Sequence, residues 1–116
     1  MAQPAFDPLV AGHPALDRPI YTLSVASEIL ETHPRTLMMY ETVGLVVPAR
    51  TATNRRRYSQ RDLNRLHMIQ TLTRRHGVNL AGARYLLELL PLLREHGIEP
   101  PASLSDLDTR TLEPSA

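Results

Sequence analysis

The chain contains no cysteine, no lysine and no tryptophan, and phenylalanine occurs once among its 116 residues. Without thiols there can be no disulfide, no thiolate metal ligand and no cysteine redox sensor. No apolar run approaches the roughly 20 residues that a membrane span needs. The N-terminus also lacks the basic and apolar regions of a secretory leader. The expectation is a soluble cytoplasmic protein, associated with the nucleoid and with no membrane partner. Five histidines, His13, His33, His67, His76 and His96, are scattered along the chain. None pairs with another at metal-ligand spacing on one helix, and no glycine-rich phosphate loop is present. No catalytic residue, metal site or cofactor is therefore expected, and the chain is read as a non-enzyme. His76 and His96 each precede a glycine, where a cation suits the end of a helix.

What the chain has is arginine, which supplies all thirteen of its cations. The formal net charge of +1 conceals a strong asymmetry, since ten arginines between residues 33 and 85 face only Glu41 and Asp62, with acids in excess on both flanks. Uniform arginine usage fits a GC-rich coding sequence, but codon bias does not put cations in the middle and acids at the ends. A small basic domain most often binds a polyanion.

Proline marks the boundaries. Eight of the ten prolines lie in the first twenty or last twenty-six residues, leaving Pro34 and Pro48 between. This divides the chain into a disordered arm over 1–19, a folded domain over 20–95 and a flexible tail over 96–116. A domain of about 75 residues buries only some 60% of its unfolded surface, so self-association is expected to help it.

Within the domain, Tyr21-Thr22-Leu23 reads as a short strand and Ser24 as the cap of a helix with Val25, Ala26, Ile29 and Leu30 on its buried face. Thr32-His33 connects it to a second helix over 34–42, which opens on Pro34, carries Leu37, Tyr40 and Glu41, and stops at Gly44. Two short helices joined by a tight turn are a helix-turn-helix pattern. Arg50 to Tyr58 reads as a β-hairpin with an arginine-bearing tip around Thr53-Asn54, the other reading being a solvated loop. Adjacent strand residues alternate faces, so Arg55, Arg56 and Arg57 cannot all reach one ligand. Ser59 and Asp62 form a capping box for a third helix with Leu63, Leu66, Ile69 and Leu72 as its stripe, closed by His76-Gly77. Asn79-Leu80 opens a fourth helix that Pro91 should kink or restart and His96-Gly97 should end. Its leucines occupy more than one face, which points to dimerisation through Leu86, Leu89 and Leu93.

Residues 21–90 resemble the DNA-binding domain of the MerR family, and more narrowly its heat-shock repressor (HspR) branch. The family pattern is carried by Tyr21-Thr22-Leu23, Arg35-Thr36-Leu37, Tyr40-Glu41, Gly44-Leu45 and Arg57-Tyr58-Ser59. The branch pattern is carried by Arg56-Arg57-Tyr58-Ser59 and Gly77-Val78-Asn79-Leu80-Ala81-Gly82. The resemblance implies a mainly α fold, a winged helix-turn-helix with four helices and a small β-hairpin wing, binding an inverted-repeat operator in double-stranded DNA as a homodimer. It also implies repression of chaperone genes with the Hsp70 chaperone DnaK as corepressor. Arg35, Thr36 and Tyr40 would then lie on the recognition helix and Arg55, Arg56, Arg57 and Tyr58 on the wing. Those residue types suit DNA contact, since arginine reads guanine or phosphate bidentately, threonine meets a base methyl or a phosphate, and tyrosine donates to phosphate. Tyr40 can equally be a core aromatic.

The chain departs from the family in three ways. Met38-Met39-Tyr40 stands where relatives carry Arg-Tyr-Tyr or a close variant, which removes a charged phosphate contact. Met38 either faces DNA or packs under the wing. The long C-terminal coiled-coil helix of the family is expected to be missing or very short, and no effector domain is expected. Two other readings stay open, a protein-interaction adaptor whose arginines are a solvated face, and a MerR-type activator responding to another stress.

Overall fold

The computed structural model describes residues 14–112. Helix α1 (Leu23–Ile29) starts two residues earlier than a Ser24 cap would place it, because the Thr22 hydroxyl accepts the Val25 N–H at 3.1 Å. Its buried face differs accordingly. Leu23, Ala26 and Leu30, spaced i, i+3, i+7, pack against the core, while Val25 and Ile29 are exposed. Both sets are apolar, and only contacts with the second helix and the sheet choose between them. Glu31 turns the chain in the left-handed region at φ 50°. His33 then caps α2 (Pro34–Thr42) with its ring Nδ1, which accepts the Arg35 N–H at 3.0 Å. Leu37 and Tyr40 point inward from α2. The helix ends where Gly44 takes φ +77°, letting Gly44 N–H reach Glu41 O at 3.0 Å and Leu45 N–H reach Tyr40 O at 2.9 Å. A residue with a Cβ would resist that conformation.

Three short strands form one antiparallel sheet in the order β1-β3-β2, with β1 Tyr21–Thr22, β2 Ala49–Arg50 and β3 Arg56–Tyr58. The wing is thus more than a hairpin. Tyr21 pairs with Tyr58 and Thr22 with Arg57 on one side of β3, and Ala49 pairs with Arg57 and Arg50 with Arg56 on the other. The tip closes through Thr51 N–H to Arg55 O at 2.8 Å, with Asn54 at φ 64°.

The capping box at Ser59 and Asp62 starts α3 (Gln60–Arg74), each partner bonding the other's backbone at 3.0 Å. Leu63, Leu66, Ile69 and Leu72 are buried along it, as the stripe predicts. Gln70, also buried, donates to Leu30 O at 3.0 Å and so satisfies a carbonyl at the end of α1. Helix α4 (Leu80–Glu95), capped by Asn79, runs on through Pro91 instead of restarting there. Buried Leu87 and Leu90 just before the proline hold the helix against the core. Leu86 and Leu93 also pack against that core, so of the three expected dimer residues only Leu89 faces outward. The outward stripe is Tyr85, Leu89 and Leu92, 62%, 54% and 50% exposed, at spacing i, i+4, i+7. No helix among the described residues is long and apolar enough to cross a membrane.

Both termini correct the expected boundaries wherever they are described. Leu16, in a 3-10 turn at Pro14–Asp17, is fully buried, and that turn packs on α3, where Arg61 meets Asp17 at 2.8 Å. After α4, turns at Ala102–Leu104 and Thr109–Leu112 bring Leu107 and Leu112 into the core. His76 bonds both oxygens of Asp106 at 3.0 Å, with Arg75 at 3.6 Å. The His76 bond is the main reason that the Asp106 carboxyl is held below its ordinary range. Residues 96–112 are therefore part of the domain. The rest of the expected arm and tail, 1–13 and 113–116, lies outside the described residues. Leu107→Ala should lower stability by about 2 kcal/mol, the low end for a buried leucine because this one lies near the surface. Urea denaturation checks it, and an unchanged midpoint would mean that the segment contributes nothing to the core.

Candidate nucleic-acid interface

The outward face of α2 and the wing meet through one carboxylate. Glu41 sits in the last turn of α2, and its Oε2 accepts from Arg50 Nη2 at 2.8 Å while its Oε1 accepts from Arg56 Nε at 2.6 Å. One acid thus joins the helix to both strands of the hairpin. Burial works to raise the Glu41 carboxyl, but the hydrogen bonds and charges of Arg56 and Arg50 outweigh it and leave the group below its ordinary value. Sequence reasoning placed Glu41 on the second helix and Arg50 at the start of the hairpin, and gave neither a role in the site. The available signal was composition, since Glu41 is one of two acids in a stretch with ten arginines.

Of the seven residues expected at the interface, four lie where a ligand could reach them. Arg35 is exposed on α2 with Thr36 half-buried beside it, and on the wing Arg55 is exposed and Arg57 half-buried. Arg55, Arg56 and Arg57 line an open groove with Arg50, Asn54 and the start of α1 at Thr22, Leu23 and Ser24. All three arginines border this one groove, contrary to the expected alternation of faces, with Arg55 in the tip ahead of β3. Arg56 turns to Glu41, and Arg57 donates to Arg56 O at 2.9 Å.

Tyr40 and Tyr58 are corrections. Tyr40 is 6% exposed and Tyr58 fully buried, so both rings belong to the core, and the Tyr58 hydroxyl is sealed from any ligand without a hydrogen-bond partner. Tyr40 lies with Leu37 on the inward face of α2, and Tyr58 alternates with Arg57 so that its ring enters the core above α3. Burial raises both phenols above their ordinary value, with Arg74 opposing the shift at Tyr40 and the Glu41 charge adding to it at Tyr58. Arg56 is also less available than expected, being held by Glu41. Met38 is 39% exposed, which removes the alternative that it packs under the wing. Among the described residues, no group of three or more histidine, aspartate or glutamate side chains could hold a metal ion.

The clamp has a pH signature. A carboxyl that titrates lower in the folded state stabilises fully above its ordinary value of 4.5, and that stability is lost as pH falls through the lower folded value. Glu41→Gln removes this contribution. The stability difference between wild type and variant should be constant from neutral pH down to about 4.5 and then shrink with further acidification. Denaturant midpoints measured across that range check it, and a difference that does not change below the ordinary value would mean that the carboxylate charge is not what holds the wing.

Residues 21–90 match the family described as MerR HTH family regulatory protein. The chain is also 47% identical over 73 residues to a protein of Streptomyces coelicolor provisionally named heat shock protein HspR. That match covers 63% of this chain and 48% of the Streptomyces protein, so it spans about half the length of that relative. A mainly helical domain of four helices and a three-stranded antiparallel sheet, in which one acid joins the second helix of a helix-turn-helix to an arginine-lined wing, accords with that match over most of the folded region. The chain belongs to the MerR family of helix-turn-helix regulatory proteins.

Proposed function

We propose that the chain is a repressor that reads an inverted-repeat operator as a homodimer, with α2 in the major groove and the wing on the flanking backbone. The observation that carries this reading is the placement of exposed Arg35 on the outward face of α2 and of Arg55 and Arg57 along the adjoining wing groove. Arginines so divided suit the two halves of duplex recognition, base edges for one group and phosphates for the other. Control of heat-shock genes, with the Hsp70 chaperone DnaK as corepressor, is the finer reading that the likeness to the HspR branch supports. The dimer surface moves from the expected leucine trio to Tyr85, Leu89 and Leu92, the apolar side chains that the fold of one chain leaves uncovered on α4.

Two measurements test these assignments. Arg55→Ala should weaken binding to a selected operator and to random duplex by similar factors, and should flatten the plot of log K against log salt by about 0.9 per lost phosphate contact. Arg35→Ala should cost about ten-fold or more on the operator alone. Duplex binding with no preference between selected and random DNA, by ~10³ or more in the wild type, would sink the regulator in favour of an adaptor. For the dimer, Leu89→Glu should sediment as a monomer and lose operator affinity, whereas an unchanged dimer places the interface elsewhere.

A further inference from the structure

The recognition helix has an unusual outward face for a surface expected to meet a polyanion. Along α2 the exposed side chains are Arg35, Met38, Met39 and Thr42. Only Arg35 is charged. Thr42 does not offer a free hydroxyl proton, because its Oγ1 already donates to Met38 O at 3.1 Å. The centre of the face is thus two adjacent thioethers, each 39% exposed, with a threonine whose donor is engaged by the helix itself. Leu37 and Tyr40 account for the inward side, so the methionines are not surplus core.

Single exposed apolar residues need no explanation, but an apolar patch flanked by cations does. Arg35 stands one turn before Met38, and Arg50 and Arg56 converge on Glu41 beside Thr42. A protein ligand for such a patch would have to be acidic around an apolar centre. The DNA major groove already has that character, with phosphates at its walls and one apolar group on its floor, the C5-methyl of thymine. Methionine is unbranched and flexible and adapts to irregular apolar surfaces, which suits contact with methyls whose spacing follows the base steps.

We propose that Met38 and Met39 read thymine C5-methyl groups, so that the half-site is recognised by methyl contacts next to the base pair that Arg35 contacts. The inference rests on the DNA-binding reading and adds the chemistry by which the centre of the helix discriminates. It accounts for the missing charge at Met38, because a cation there would add affinity for every sequence alike, whereas a methyl contact distinguishes thymine from the other bases.

The test uses the full chain and a duplex enriched from a random pool. Each thymine of a half-site is replaced in turn by deoxyuridine, which removes one methyl and leaves every hydrogen-bonding group in place. One or two positions should lose about 4-fold in affinity, the value of one buried methyl-sized group. Met38→Ala or Met39→Ala, both at exposed positions and checked for an unchanged melting temperature, should bind the thymine duplex more weakly and be indifferent to deoxyuridine at the matching position. If a specific duplex is enriched but no deoxyuridine weakens it, methyl reading is wrong and the DNA-binding reading stands. If the methionine variants weaken thymine and deoxyuridine duplexes equally, the side chains do not contact the methyls, and the inference is likewise overturned. If no duplex is enriched over random DNA, the regulator reading fails and this inference fails with it.

Discussion

Glu41 fixes the relation between the recognition helix and the wing, and the geometry of the candidate interface depends on that relation. Each element is held separately, α2 on α1 through Leu37 and Tyr40, and β3 by pairing with β1 and by Tyr58, and Glu41 ties one to the other. The carboxylate takes one arginine from each strand, so rotation of the wing about the helix would break one bond or the other. Isolated surface ion pairs contribute little stability, and the value of this one is chiefly positional. It also makes an acid tolerable on a surface proposed to meet a polyanion. Two guanidinium groups against one carboxylate leave the cluster positive, while an unpaired glutamate there would repel phosphate.

A second constraint is size. A domain ending at residue 95 would leave parts of α3 and α4 uncovered. The structure covers them with Leu107 and Leu112 on one side and places Leu16 against α3 on the other, each from a proline-rich flank. The segment after α4 is therefore core material, held also by the contact of Asp106 with His76 and Arg75. Buried apolar side chains from these flanks supply part of what a domain of about 75 residues would have to obtain from a partner.

What was legible in the sequence was local. The Ser59–Asp62 capping box, Pro34 at the start of α2, Gly44 at its end, Asn79 before α4 and the four-residue stripe of α3 are each set by chemistry within a turn or two, and each is found in the structure. What was not legible required knowing which distant element lies opposite. Helix α1 has apolar residues on either side, and the sheet and α2 select the side containing Leu23 and Ala26. Tyr40 and Tyr58 are chemically suited to phosphate, and only the inward turn of their backbone positions commits them to the core. The flanks were read by their prolines, which describe the backbone and say nothing of three leucines among them. The clamp at Glu41 spans nine and fifteen residues, beyond any local pattern.

These long-range choices also determine how the two candidate surfaces communicate. An open apolar depression is lined by Val43 and Leu45, where the chain leaves α2, and by Leu80, Ala81, Arg84 and Tyr85, where α4 begins. Tyr85 is also the first residue of the outward stripe on α4. The exit of the recognition helix and the proposed subunit surface therefore share a boundary, with buried Leu45 and Ala83 beneath it. An inverted repeat needs two recognition helices held about 34–36 Å apart or a multiple of that distance. In the proposed dimer the junction of α2 and α4 bears on that spacing, because the outward stripe begins at Tyr85 on its rim. Side-chain volume around Leu45 and Leu80 would then act on operator spacing as well as on stability in the proposed dimer, because a shift of α4 against the end of α2 would move both copies of α2 at once.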